Sequence, residues 1–429
     1  MDELDRYRGS IVGLAVGDAL GHPTEFVSSV AGIHARWGGP VVDFHRAGSH
    51  PAGTFTDDTQ MTIAVARALI RAGHADLDAM MKILGEEFVA WARSPENNRA
   101  PGGTCLRGCS ALQNGIEWRL AGVPESKGCG AAMRAAPVGL YFSDDVDLMV
   151  RVAAAQSALT HRHPTGIASG VAAAAPVAHV LRTRSLDGIL EFTRDCVARL
   201  DRDLLLELGC HPPLAASIGN REMLDALDAT KAALDKETDD VCSLLGGAWV
   251  GEEAVATALW CALKAKGEFK DSIVRGANSS GDSDSIATIA GSITGALVGF
   301  RAIEERYRTG VEKSGLLEEI ATALHRAKHG TDLERTPDAL DVFGAQRRFP
   351  ATPKPVAETG AAVSEIEDLE AQIKHHNKLY WDDAAPEISD TDYDKLVRRL
   401  KALAPNSPVL EHMGPSQPAE LGSSFTHAE

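Results

Sequence analysis

The chain has 429 residues, enough to bury a full-sized core and, on length alone, to form two or three domains. Its formal net charge of −17 excludes non-specific nucleic-acid binding through clustered Lys and Arg, and leaves ample carboxylate for divalent cations. Aromatics are scarce at 5% while Ala, Gly and Leu are abundant, a balance that favours close-packed helices over sheets.

The N-terminus, MDELDRYRGS, is charged and lacks the apolar core of a signal peptide. Apolar residues at three- and four-residue spacing predict helices over 8–20, 58–72, 76–92, 150–158, 166–181, 252–264 and 285–306. Strand-like alternation is rare, so the expected fold is all-α. Two of these helices carry glycine every fourth residue: Gly13, Gly17 and Gly21 in one, Gly291, Gly295 and Gly299 in the other. Such stripes let helix backbones approach closely, although glycine costs roughly 1 kcal/mol at each interior position. We read them as core packing that can bring the chemistry at helix ends into one place. The apolar run 285–300 is too short to cross a membrane.

Cys105, Cys109, Cys129, Cys196, Cys210, Cys242 and Cys261 are dispersed and include no CxxC pair. That pattern suggests reduced thiols and a cytoplasmic location, not a disulfide framework or a zinc site. The expected domains are 1–348, a Pro/Ala/Thr-rich linker over 349–364, a helical module over 365–415 and a frayed tail over 416–429. The module reads as two helices joined by a turn, with Ser389 or Asp390 as N-cap of the second.

Three acidic clusters carry the chemistry. GDALGHPTEF contains Asp18 and Glu25; TFTDDTQM contains Thr56, Asp57, Asp58 and Thr59; NSSGDSDSIA contains Asp282, Ser283, Asp284 and Ser285. The last two crowd carboxylates and hydroxyls just before an apolar helix. Free N–H groups and the helix dipole explain one aspartate at such a place. They explain two less well, because neighbouring carboxylates raise one another's pKa. A bound cation removes that penalty, and an all-oxygen donor set suits magnesium, manganese or calcium better than zinc. An EF-hand is excluded, since Ile286 and Ala287 stand where that loop needs a ligand and a glycine.

At these residues the sequence resembles the ADP-ribosyl-glycohydrolase family, the family of the dinitrogenase reductase-activating glycohydrolase. The matching segments are GLAVGDALGHPTEF, TDDTQM, GCGAAMRAAPVGL, ALTHRHPTG and GDSDSIATIAGSITGALVG, in family order. The resemblance implies a compact orthogonal all-α bundle with two divalent cations, Mg2+ or Mn2+, in a central cleft. It implies Thr56, Asp57, Asp58, Asp282, Asp284 and Ser285 as metal ligands, the last being more often Thr in the family. Glu25 matches a mobile acidic residue that closes over the metals. Gly102, Gly103 and Thr104, then Gly128, Cys129 and Gly130 leading to Met133 and Arg134, match ADP-ribose-contacting loops. His161 matches a residue near the adenosine side.

The implied reaction cleaves the glycosidic bond at C1″ of ribose, releasing ADP-ribose from a modified protein or nucleic acid. An oxocarbenium-like state is stabilised by carboxylates, and Asp57, Asp58 and Asp282 are candidates to orient the attacking water. Glycine-rich turns suit a diphosphate.

HHNKLYWDDAAPEISDTDYDKL resembles the small N-terminal domain of NAD-dependent DNA ligases, which recognises the nicotinamide mononucleotide half of NAD. The matching positions are Tyr380, Trp381, Asp390, Tyr393 and Asp394; Trp381 stands where His or Tyr is usual. Aromatics of this kind stack on a cationic ring and aspartates supply countercharge. The chain has no KxDG nucleophile motif, so it is not a ligase. The module is expected to bind NMN or NAD, to direct the hydrolase to a DNA-repair partner, or only to make contacts. Besides hydrolysis of ADP-ribosyl bonds, an ADP-ribose or NAD-metabolite sensor with vestigial hydrolysis and a two-metal phosphohydrolase remain open.

Overall fold

The computed structural model describes residues 2–330 and, beyond them, 366, 369–376, 396–397, 399–400, 404, 407 and 409. The chain divides into two units, Met1–Gln346 and Arg347–Glu429. Among the described residues of the first unit, twelve helices have nine residues or more. They are α1 (Glu3–Gly21), α2 (Asp57–Ala72), α3 (Leu77–Ala92), α4 (Gly103–Gln113), α5 (Val146–Ala158) and α6 (Pro164–Thr183). They continue with α7 (Ile189–Ala198), α8 (Arg221–Ala233), α9 (Gly251–Lys264), α10 (Phe269–Ala277), α11 (Ser283–Val298) and α12 (Ser314–Lys328). Among the described residues there is no strand, only three isolated bridges, so the all-α expectation holds.

Local chemistry sets the helix ends. The Asp2 carboxylate accepts from the Asp5 N–H at 2.7 Å, and that cap starts α1 five residues before the apolar pattern becomes visible. Asp145 does the same for α5, accepting from Leu148 at 3.0 Å. The helix expected over 285–306 stops at Val298, because Gly299 takes φ +82° and turns the chain into a three-residue 3-10 turn. Residues 102–104, expected as a loop, open α4 instead, with Gly102 as N-cap.

The glycine stripes do pack α1 on α11, antiparallel and nearly backbone to backbone. A Cβ on Gly9 would sit 2.2 Å from the Gly295 carbonyl oxygen; one on Gly13, 2.7 Å from that of Gly291; one on Gly17, 2.1 Å from that of Ala287. At the last step Gly21 faces the backbone of Asp284, where a Cβ would fall 2.4 Å from its Cα. The end of α1 is therefore held against the start of α11. At its other end, the buried Arg6 guanidinium donates to the carbonyls of Val180, Leu181 (2.8 Å) and Ala296 (2.7 Å). It thereby satisfies carbonyls at the C-terminal ends of α6 and α11. Helix α6 is long and apolar enough to cross a membrane, but its apolar window is wholly buried, which makes it the core helix of this bundle.

In the second unit the described residues 369–376 are helical, and Leu369, Ile373, Val397, Leu400 and Val409 form a small apolar core. The Ser407 hydroxyl donates to Glu370 at 2.5 Å. The linker 349–364, Tyr380, Trp381, Asp390, Tyr393, Asp394 and the tail from 416 lie outside the described residues.

Candidate active site

Helices α1, α2 and α11 converge on one acidic centre. Thr56 is the N-cap of α2, and its hydroxyl accepts from the Asp58 N–H at 3.3 Å, so Asp57 and Asp58 fall in the first turn. Asp18, from the last turn of α1, fixes that turn from behind. Its carboxylate accepts from the Thr56 N–H at 2.8 Å, the Thr59 N–H at 3.0 Å and the Thr59 hydroxyl at 2.6 Å. Asp282 is the N-cap residue of α11, but its side chain makes no cap hydrogen bond, which leaves the carboxylate free to face the centre.

The two helix starts meet directly. The Ser285 hydroxyl donates to Asp58 Oδ2 at 3.0 Å across a sequence separation of 227. The carboxylates of Glu25, Asp282 and Asp284 offer oxygens within 4.8 Å of one another. Every acidic residue of the three clusters named as a ligand or catalyst is buried here: Glu25, Asp57, Asp58, Asp282 and Asp284, together with Thr56 and Ser285.

The electrostatics are those of uncompensated negative charge. Burial first, then the Asp284, Asp282, Asp57 and Asp58 carboxylates, pushes the Glu25 carboxyl well above its ordinary value. Burial, then Asp284, raises Asp57, Asp58 and Asp282 well above theirs, with Asp18 adding to the first two. Asp18 is pushed up to about 6 by burial and Asp284, against the pull of its Thr59 and Thr56 hydrogen bonds. Glu25 Oε2 is buried with no hydrogen-bond partner. No buried Lys or Arg is among the groups that lower these carboxyls. Such a cluster calls for a cation, and hard oxygen donors of this kind fit Mg2+ or Mn2+.

Two loops flank the centre. The Gly102 N–H donates to Asp57 Oδ2 at 3.1 Å, tying the exposed Gly102–Gly103 turn to α2, and the Thr104 hydroxyl pairs with Ser126 at 3.0 Å. The turn containing Gly128, Cys129 and Gly130 pairs with the segment before α9: Cys129 N–H donates to Trp249 O at 3.3 Å and Gly251 N–H to Lys127 O at 2.8 Å. The Cys129 thiol lies at the centre itself, donating to Asp282 Oδ2 at 2.9 Å and lying 3.8 Å from the Ser285 hydroxyl. Burial, then Asp282 and Asp58, raises that thiol's pKa and keeps it protonated.

Three residues matched to ADP-ribose contacts sit behind these loops instead of lining them. Arg134 is 0% exposed, and its guanidinium is consumed by Gln156 (2.8 and 2.9 Å), the Thr160 hydroxyl (2.7 Å) and the face of Phe88 (4.4 Å). Met133 is buried and packed in the core. His161 is buried under the glycine turn; a Cβ on Gly130 would lie 2.9 Å from its ring, and its Nδ1 meets Thr160 at 2.8 Å. Burial and Arg134 hold the His161 imidazole well below its ordinary pKa, hence neutral. These side chains shape the loop from beneath because their polar atoms find partners only in the interior.

Sequence reasoning missed two aromatics at this site. Phe26, next to Glu25, and Trp249, paired to Cys129, are 65% and 48% exposed and stack at 6.1 Å with planes 19° apart. Phe26 carried a signal, since it follows Glu25 in a chain poor in aromatics; Trp249 carried none, because its pairing with Cys129 exists only in the fold. The role of Asp18 was also missed, since the sequence does not show that α1 ends against the start of α2.

The fold and centre together define an all-α bundle with carboxylates gathered at helix starts. The family model described as ADP-ribosylglycohydrolase matches residues 1–334, and the chain belongs to that family. A second model, described as DNA ligase-like, N-terminal NAD+-binding domain, matches residues 359–417. An uncharacterized protein of Archaeoglobus fulgidus is 32% identical, over 75% of this chain and 96% of its own. The ADP-ribosylarginine hydrolase Tri1 of Serratia proteamaculans is 26% identical, over 70% of this chain and 74% of its own. A solved structure titled ADP-ribosylglycohydrolase-related protein complex shares the fold, at TM-score 0.56 and 23% identity, covering 76% of this chain and 99% of that one.

Proposed function

We propose that the first unit hydrolyses the C1″ glycosidic bond of an ADP-ribosylated macromolecule and releases ADP-ribose, using two divalent cations, Mg2+ or Mn2+. The observation that carries this reading is the meeting of Asp57 and Asp58 with Asp282, Asp284 and Ser285, joined by the Ser285–Asp58 hydrogen bond. Thr56, Asp57, Asp58, Asp282, Asp284 and Ser285 would hold the cations, and the orphaned Glu25 Oε2 supports a cation facing residue 25. Bound metal supplies Lewis acidity and lowers the pKa of water. The chain's own carboxylates stabilise positive charge developing on the ribose, and a carboxylate among Asp57, Asp58 and Asp282 orients the water.

With the Gly102 and Cys129 N–H groups already engaged, the exposed Gly103 and the half-buried Gly128 are the positions that suit a diphosphate, which needs N–H donors at close approach. The Phe26–Trp249 stack offers an apolar plane to a planar part of the substrate. Seven free thiols among the described residues fit a reducing compartment, and we place the protein in the cytoplasm. The decisive assay presents arginine-, serine- and nucleotide-linked ADP-ribosyl substrates with Mg2+ or Mn2+ and follows free ADP-ribose. Release from one of them, lost in an Asp57→Ala, Asp58→Ala double variant, supports the reading; metal binding without release from any of them sinks it.

A sensor of an NAD metabolite is the second reading, favoured by the NAD+-binding type of domain matched over residues 359–417. Calorimetry that finds tight NMN, NAD+ or ADP-ribose binding without turnover selects it.

A further inference from the structure

A second group of metal-ligating side chains lies at the other end of α1, outside the acidic centre. Glu3 opens α1; His325 lies in the last turn of α12, and His329 caps that helix four residues on. His329 Nε2 stands 3.1 Å and His325 Nε2 3.5 Å from the same carboxylate oxygen, Glu3 Oε2. All three ligand atoms lie within 4.8 Å of one another. The second Glu3 oxygen is held elsewhere, 3.7 Å from Lys328 Nζ, and that ammonium is itself neutralised by Asp144 at 2.8 Å. Tyr7, buried in α1, meets the His325 ring edge-on at 5.0 Å and fixes its orientation.

We propose that Glu3, His325 and His329 form a transition-metal site of the Zn2+ type. Two histidines one helical turn apart on a single face, plus a carboxylate from a facing helix, give nitrogen and oxygen donors of intermediate hardness, unlike the all-oxygen centre. A tetrahedral ion with bonds of about 2.0–2.1 Å places its ligand atoms roughly 3.3 Å apart, and the two measured separations bracket that spacing. The partial exposure of all three residues leaves the fourth position to water. Hydrogen bonds from the two imidazoles to Glu3 are the competing arrangement, since one carboxylate oxygen accepts from two ring N–H groups, and the titration below separates the two.

The site ties the first helix of the unit to its last. A metal bound only in the native state shifts the folding equilibrium by mass action, here by joining residue 3 to residues 325 and 329. Its role is a clasp, independent of hydrolysis at the acidic centre.

The test is calorimetric titration of the full chain with Zn2+ under saturating Mg2+, in four proteins: wild type, His325→Ala, His329→Ala and the Asp57→Ala, Asp58→Ala double variant. One Zn2+ equivalent is expected in wild type and in the double variant, and is expected to vanish in both histidine variants. Zn2+ is also expected to raise the thermal midpoint of the double variant and to leave that of His329→Ala unmoved. His329 is an exposed cap residue, so its removal leaves the fold, checked by helical circular dichroism, in place. A Zn2+ equivalent that survives in both histidine variants, that is lost in the double variant, or that is absent from wild type overturns the site. In each of those cases Glu3 and the histidines form hydrogen bonds only.

Discussion

Two buried charged groups in this chain differ in one respect that separates support from function. Around Arg134, donors and acceptors close on themselves: Gln156, Thr160 and Phe88 engage the guanidinium, and Thr160 passes the network on to His161. Around Asp58, five carboxylates face inward, neighbour raises neighbour, and Glu25 Oε2 has no partner. The first arrangement is complete as the chain folds it. The second crowds like charges and leaves an acceptor open, an arrangement that a bound cation would complete.

The widest separation between the two is expected from substitution. Asp58→Ala should lower kcat/KM by about 1,000-fold or more, in line with loss of electrostatic stabilisation at a dry centre. Its metal-free unfolding midpoint in urea should not fall, since a source of like-charge repulsion is gone. A midpoint that falls sharply would mean that Asp58 supports the fold as Arg134 does. Arg134→Met, conversely, should lose about 1–3 kcal/mol in urea unfolding for each buried acceptor it strands, at Gln156 and Thr160. A loss below about 1 kcal/mol would show that the Gln156 and Thr160 contacts are dispensable.

The packing that joins α1 to α11 gives the next effect. Gly17→Ala drives a methyl into the Ala287 carbonyl and should destabilise by about 1–3 kcal/mol. It should also weaken Mg2+ or Mn2+ affinity in calorimetry, because the shift reaches Glu25 and Asp284. Unchanged metal affinity would uncouple the stripe from the centre.

Acid sharpens the contrast through its sign. Asp18, Glu25, Asp57, Asp58 and Asp282 hold protons more tightly folded than unfolded. The native state thus carries extra protons above the ordinary carboxylate range, up to about 6 for Asp18, with the others also raised well above their ordinary values. Their contribution to metal-free stability should therefore fall as pH rises through that window, and recover on acidification from about 7 toward 5. Saturating Mg2+ should flatten the dependence. Buried neutral imidazoles such as His161 pull the other way over that range. The check is therefore the difference in metal-free urea midpoint between wild type and the Asp57→Ala, Asp58→Ala double variant; a difference that does not change with pH contradicts the assigned shifts. The smallest effect belongs to the rim: Trp249→Ala should raise KM by up to about tenfold, with kcat little changed.

Much of this was legible in the sequence, for physical reasons that can be named. The helices α1, α2, α3, α5, α6, α9 and α11 each announce an apolar period. The paired aspartates announce more negative charge than a cap needs. What the sequence hid was direction. Nothing in the GCGAAMR segment says that Arg134 points inward, because a buried arginine is decided by partners as distant as Phe88 and Gln156. Cys129 read as part of a glycine turn; its contact with Asp282 depends on the pairing of that turn with Trp249 and Gly251. The overrun of the last predicted helix came from treating Gly299 as one more small residue in a stripe, when its φ of +82° makes it the stop.

The close seam between α1 and α11 also sets an order of events during synthesis. Asp18, Glu25, Asp57 and Asp58 leave the ribosome early, but their counterpart surface is α11, Ser283–Val298. At about 5–20 residues per second, translation leaves the bare glycine face of α1 uncovered for tens of seconds. Through that interval the nascent chain has half a centre, with no opposing aspartates to share a cation and no mate for its most exposed backbone.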